Sequence, residues 1–217
     1  MQLWYPQATR RDGPPVKTGY VGHNENLIAG AVLHSMTGSY TAAMTALDNA
    51  DRDDQGYFVM AQSWHLSVLK SGEVKQHYPL NAVCYHAGSE TANSRYVGIE
   101  HEGGGAVNYS EPLTPSQLSA SVQLVRWIAE QAIFVPSRGP EITRTLWEHN
   151  ELYNTACPSG RIPWGEYLMT DAYGPMQSKN LDLTIVGQNI ELVYVGFDKA
   201  SGRDIYELRV LREEPVQ

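Results

Sequence analysis

Apolar and polar positions follow distinct rhythms along the 217 residues. Leu27 to Leu33 is an almost unbroken apolar run ending at His34, the pattern of a strand buried on both faces. After Gly38-Ser39, the alanine-rich stretch Tyr40 to Leu47 predicts a helix, closed by the polar loop Asp48 to Gly56. Ala61 to Leu69 and Glu73 to His77 flank Ser71-Gly72, a two-residue turn signal, and together predict a β-hairpin. Tyr96 to Glu100 predicts one more short strand.

The clearest helix signal starts at Thr114. Thr114-Pro115-Ser116-Gln117 joins an N-cap hydroxyl, a proline at the first helical position and a capping-box glutamine. Leu118, Val122, Val125, Ala129 and Ala132 then share one face, and Pro136 is the expected stop, with the helix reaching about Phe134. Strands interleaved with helices predict an α/β fold, a mixed central β-sheet flanked by helices. Near residue 181 the rhythm changes. Leu181 to Val186, Ile190 to Phe197 and Ile205 to Leu211 are β-prone and separated by turn residues, which predicts a small C-terminal β meander. The expected division is a main domain of residues 1–170 and an appendage of residues 171–217, packed on the main domain or on a partner chain. Residues 1–25, rich in proline, glycine and charge, read as an extended arm.

Composition narrows the function. With 42% hydrophobic residues the chain has material for a core, and with 16 basic against 24 acidic residues its net charge is −8. That sign argues against nucleic acid as a partner. No apolar run approaches the roughly 18 residues that span a bilayer. The opening Met1-Gln2-Leu3-Trp4-Tyr5-Pro6 has no basic stretch followed by an apolar one, so no signal peptide is expected.

Seven histidines and two cysteines carry the candidate chemistry. His34 closes an apolar strand in Val32-Leu33-His34-Ser35, while His149 lies in Leu146-Trp147-Glu148-His149, shortly before Cys157-Pro158. Two imidazoles and one thiolate form a three-ligand set for zinc that leaves one tetrahedral position open. Both rings bind neutral, so ion and thiolate together carry one positive charge. A Cys84–Cys157 disulfide is the competing reading, and Cys84 otherwise reads as a small buried hydrophobe.

Five patches in order carry a resemblance. They are Val32-Leu33-His34-Ser35; Ser63-Trp64-His65 with Lys70-Ser71-Gly72-Glu73-Val74; Tyr85-His86-Ala87-Gly88; Asn93 through Val97-Gly98-Ile99-Glu100; and Glu148-His149 followed by Thr155-Ala156-Cys157-Pro158-Ser159. Over about residues 20–165 the chain resembles the zinc-dependent N-acetylmuramoyl-L-alanine amidases, the fold shared with phage lysozyme-type amidases and peptidoglycan recognition proteins. The resemblance implies that Zn2+ is held by His34, His149 and Cys157, with Glu100 as the catalytic proton carrier. It implies peptidoglycan as the partner, with His86 in the substrate groove and His65 beside the centre. His65 reads equally as a buried, hydrogen-bonded ring. His23, His77 and His101 read as structural.

Two positions depart from the family pattern. Trp64 stands where many relatives have tyrosine, and an indole donates a hydrogen bond without shuttling a proton. Thr155 stands where some relatives place an oxyanion-binding lysine, and its hydroxyl is a weaker donor. The expected function is zinc-dependent hydrolysis of the bond between N-acetylmuramic acid and L-alanine, in a phage endolysin held in the host cytoplasm until lysis. Two alternatives stay open: a non-catalytic peptidoglycan-binding module, and a thiol enzyme with Cys157 as nucleophile and His149 as base.

Overall fold

The computed structural model describes residues 3–19, 28–168, 183–185, 188–198 and 203–211. His23, Leu27 and the predicted turn at residues 199–202 lie outside them. Two units are resolved by their internal contacts, residues 1–168 and residues 169–217.

In the first unit the chain lays down β1 (Thr9–Arg10), β2 (Gly30–Ser35), α1 (Tyr40–Asp48), β3 (Leu66–Val68), β4 (Val74–Gln76), α2 (Glu90–Arg95), β5 (Tyr96–His101), α3 (Pro115–Ala132), β6 (Leu146–Glu148), α4 (His149–Leu152) and α5 (Trp164–Leu168). The six strands stand in the order β1-β4-β3-β5-β2-β6. Only the β3–β4 hairpin is antiparallel; the other neighbours run parallel, so the sheet is mixed. The predicted apolar run begins the β2 pairing at Gly30 rather than Leu27 and carries His34 inside the strand, one residue before its end. The paired part of the hairpin is shorter than predicted, because residues 61–65 run irregularly ahead of β3. β1 lies in the arm read as extended, and it docks beside β4 as an edge strand.

Successive side chains of a strand point to opposite faces, and this sorts the sheet. Ala31 and Leu33 of β2, Leu66 and Val68 of β3, and Val97 and Ile99 of β5 join Val122, Leu124, Val125 and Ile128 of α3 in one buried core. Truncating a fully buried side chain such as Leu124 or Ile128 to alanine costs roughly 2–5 kcal/mol in a core of this kind. The intervening positions, Val32, His34, Gly98, Glu100 and Ser67, turn to the other face in register. A second, smaller core there joins Met44 and Leu47 of α1 to Trp64, Tyr78, Ala82 and Cys84.

α3 starts as predicted: the Thr114 hydroxyl accepts the Gln117 N–H at 3.1 Å, behind Pro115. Gln117 does not close a capping box. Its buried amide turns inward and donates to the Val68 and Glu102 carbonyls, tying the helix start to the ends of β3 and β5. The helix ends at Ala132 because Ile133 takes a left-handed conformation, φ 58°. The expected stop at Pro136 lies beyond that turn.

In the second unit, β7 (Leu183–Ile185), β8 (Gln188–Asp198) and β9 (Arg203–Leu211) form an antiparallel three-stranded sheet with an irregularity between Tyr194 and Gly196.

His65 and His77 serve the fold. Gly98 N–H donates to His65 Nδ1 at 3.0 Å, so Nε2 carries the hydrogen bonded to the Ala82 carbonyl at 2.9 Å. His77 bridges the Arg11 carbonyl and the Ser67 hydroxyl. Burial holds both rings neutral, with pKa values of about 4. An unfolded chain takes up these protons below pH ~6.5 while the folded chain does not. Stability is therefore full above pH ~6.5 and is lost as the pH falls toward about 4, by on the order of 3 kcal/mol per ring. Urea unfolding of the chelator-treated protein near neutrality and at mildly acidic pH checks this. A His77→Asn variant is expected to lose less stability over that interval; equal losses would contradict the account.

Candidate metal centre

The parallel pairing of β2 with β5 sets His34 directly beside Glu100 on the open face of the sheet. His34 is 1% exposed, and its Nδ1 lies 3.9 Å from Cys157 Sγ and 3.9 Å from Glu100 Oε1. His149 arrives from the first residue of α4, its ring centroid 4.5 Å from that of His34. One ligand atom each from His34, His149 and Cys157 lie within 4.8 Å of one another. Both cysteines are free thiols, which overturns the Cys84–Cys157 disulfide reading; Cys84 is fully buried in the smaller core.

His149 and Cys157 are each fixed by surrounding residues. β6 feeds into α4 through a reciprocal capping box: Glu148 and Glu151 bond each other's backbone N–H, which pins His149 at the first turn. Glu151 is held in turn by Arg138 and Arg144. Cys157 Sγ accepts the Ser35 N–H at 3.1 Å, and Cys157 N–H donates to the Thr155 hydroxyl at 3.3 Å. Four residues on, buried Arg161 clamps the loop: its guanidinium donates to the Ser35 hydroxyl at 2.8 Å and to the Glu111, His101 and Glu102 carbonyls. Arg161 carried no signal in the sequence, where an arginine after a Ser-Gly pair reads as exposed.

Electrostatics follow burial. The Cys157 thiol is pushed up by burial and then by the nearby Glu100, against the Ser35 N–H that lowers it. Burial pushes Glu100 up to about 8, opposed by the positive charge of Arg161. Burial drives His34 well below its usual value, with the neighbouring rings adding to the effect, and lowers His149 and, to about 3, His86. Glu100 Oε2 and His149 Nε2 are buried with no hydrogen-bond partner. A buried polar atom without a partner costs free energy.

Those bare atoms test the fit to zinc. Ligands of one tetrahedral zinc ion at 2.0–2.3 Å stand about 3.3–3.6 Å apart. The 3.9 Å between Cys157 Sγ and His34 Nδ1 is within half an ångström of that spacing. An unpartnered His149 nitrogen, neutral imidazoles and a sulfur that needs a cation to hold negative charge form a donor set suited to zinc.

The sequence comparison matches the N-acetylmuramoyl-L-alanine amidase family over residues 24–160, more than half of the chain. The protein belongs to this amidase family. The amidase-family fold is found in solved structures as well. N-acetylmuramoyl-L-alanine amidase LysC from Clostridium intestinale URNW is 22% identical, with a TM-score of 0.52 over 75% of this chain and 95% of that one. The endolysine amidase LysCS from the same organism is 21% identical, with a TM-score of 0.52 over 76% and 95%. A selenomethionine derivative of AmpD is 19% identical, with a TM-score of 0.57 over 77% and 96%. No curated protein matches the sequence significantly. Family membership makes this a protein that cuts or binds peptidoglycan.

The other expected site residues of this amidase-family chain stand around the cluster. His86 is 8% exposed and touches His34, with its Nδ1 3.0 Å from His34 Nε2. Trp64 is buried in the smaller core, its Nε1 donating to Ser67. His65 is spoken for by backbone groups at both nitrogens, as described above, while Thr155 flanks Cys157. The sequence reading passed over Tyr153. Its half-exposed ring stacks on His149 at 5.9 Å and 17°, and it packs so closely on Gly88 that a Cβ there would come 2.3 Å from it.

Equilibrium dialysis against zinc is expected to give one ion per chain. Cys157→Ser is expected to weaken binding by more than the roughly 10–100-fold that loss of an outer hydrogen-bond partner costs. Unchanged zinc binding in that variant would remove Cys157 from the donor set.

Proposed function

We propose that the protein is a zinc-dependent N-acetylmuramoyl-L-alanine amidase, cutting the amide between the lactyl group of N-acetylmuramic acid and L-alanine in peptidoglycan. The observation that carries this reading is the convergence of His34, His149 and Cys157 beside a buried, half-unpartnered Glu100.

His34, His149 and Cys157 would hold the ion. When bound, zinc supplies a Lewis acid that polarises the amide carbonyl and makes water a stronger nucleophile near neutral pH. Glu100 moves the proton. Its bare Oε2 accepts a proton as water oxygen bonds to the carbonyl carbon, then gives it to the nitrogen as the carbon–nitrogen bond breaks. The products are a lactyl carboxylic acid and a free L-alanine amine. Burial raises this carboxyl in the metal-free chain, and a cation bound beside it would draw it back toward the ionised form that takes the proton. The Thr155 hydroxyl, beside Cys157, offers a neutral donor to the oxyanion. The exposed face of Tyr153 gives the groove an apolar wall next to His149. The setting we propose is that of a phage endolysin, in keeping with a fold like that of the endolysine LysCS.

Purified peptidoglycan incubated with the protein is expected to release new L-alanine amino termini. Glu100→Gln is expected to lower kcat about 10²–10⁴-fold while one zinc per chain is retained. Chelation is expected to stop turnover, and alkylation of the zinc-loaded enzyme is expected to leave it running. Sedimentation with peptidoglycan and no new amino termini would make the protein a binding module instead. Turnover that survives chelation and is stopped by alkylation would make Cys157 the nucleophile.

A further inference from the structure

The third and fourth patches of the sequence meet at one ring. His86 lies flat against the backbone of β5 at Gly98, where a Cβ would come 2.6 Å from the ring Cγ. Asn93 holds the loop in place, its Oδ1 accepting the His86 N–H at 3.0 Å and the Ala87 N–H at 2.7 Å. At the far side of the ring, Nε2 is 3.0 Å from the Tyr96 carbonyl.

A carbonyl only accepts, so His86 Nε2 carries a hydrogen. The ring is buried with no carboxylate bonded to it, which disfavours a charged form. His86 Nδ1 is therefore a lone pair. It faces His34 Nε2 at 3.0 Å, so that nitrogen must donate. A neutral ring with its hydrogen on Nε2 leaves Nδ1 bare, and His34 Nδ1 is the atom directed toward Cys157 Sγ.

We propose that His86 is a positioning residue: it fixes His34 in the tautomer protonated at Nε2 and so keeps Nδ1 free as the ligand atom. This assignment rests on the zinc reading above and gives His86 a task other than contact with substrate in the groove. The relay runs from the Tyr96 carbonyl through His86 to His34, all of it seated by Asn93 and Gly98.

Long-range 1H–15N correlation spectra of the chelator-treated protein read the two tautomers directly. Both His34 and His86 are expected to show a protonated Nε2 and a bare Nδ1 near neutral pH. In His86→Ala, His34 is expected to become a mixture of tautomers. Zinc affinity, read by competition with a chromophoric chelator, is expected to fall about 10–100-fold. Gly98→Ala, which pushes the ring aside without removing it, is expected to move both readouts in the same direction. A His34 ring protonated at Nδ1 in the unaltered protein would overturn the proposal whether or not any variant folds. So would a His86→Ala protein with unchanged zinc affinity and a raised KM. If the unaltered protein binds no zinc yet shows both expected tautomers, the zinc reading falls and the hold of His86 on His34 stands.

Discussion

The pairing register of β2 with β5 is the constraint on which the rest depends. Because side chains alternate, Leu33 and Ile99 reach the core under α3 only when His34 and Glu100 reach the open face together. A slip of one residue would turn His34 into the core and expose Leu33. Fully burying a large apolar side chain is worth about 1.5–3 kcal/mol, and several on this face would be lost at once. The apolar half of the sheet thereby sets the place of the polar half.

The sheet and the loops at its ends bury many polar groups, and the structure answers most of them with a partner. His101, at the end of β5, donates to the His34 carbonyl and accepts from Ser121 of α3, whose hydroxyl also accepts from Tyr167. His65 ties β5 to the loop carrying Ala82. Arg161 spreads its donors over three carbonyls and the Ser35 hydroxyl. Against that background, bare atoms on Glu100 and His149 are a concentration of unmet demand at one place. Buried polar groups without partners call for an explanation, and these two belong to the candidate centre and its neighbour in register.

Much of this was legible in the sequence because it rested on short-range signals. Helical spacing and a proline behind Thr114 located α3, and the apolar run ending at His34 located the strand and its candidate ligand. The resemblance placed His149, Cys157 and Glu100 on the page, though only folding brings them beside His34. What escaped depended on long-range contacts. Gln117 looked like half of a capping box because its inward partners, Val68 and Glu102, are distant in the chain. β6 was missed because three residues, Leu146–Glu148, are too few to show a period and owe their pairing to β2. Arg161 was passed over for a like reason: a polar residue in a loop gives no hint that it is buried or that it holds a backbone.

The donor set also decides which cations the cluster suits. Two neutral nitrogens and one sulfur fall on the soft to borderline side, where zinc lies; magnesium and calcium take oxygen. One carboxylate, Glu100, stands beside the cluster and lies outside the three-residue donor set. Its backbone is locked beside His34, and burial raises its pKa in the metal-free chain. A ligating carboxylate must be ionised, whereas a proton carrier must spend time in both states. The same burial raises the Cys157 thiol, and there the consequence is opposite, because sulfur meets the ring nitrogens that a positive ion would join. In the proposed amidase one environment thus gives two acids different duties, and geometry, through which atoms each one faces, makes the division.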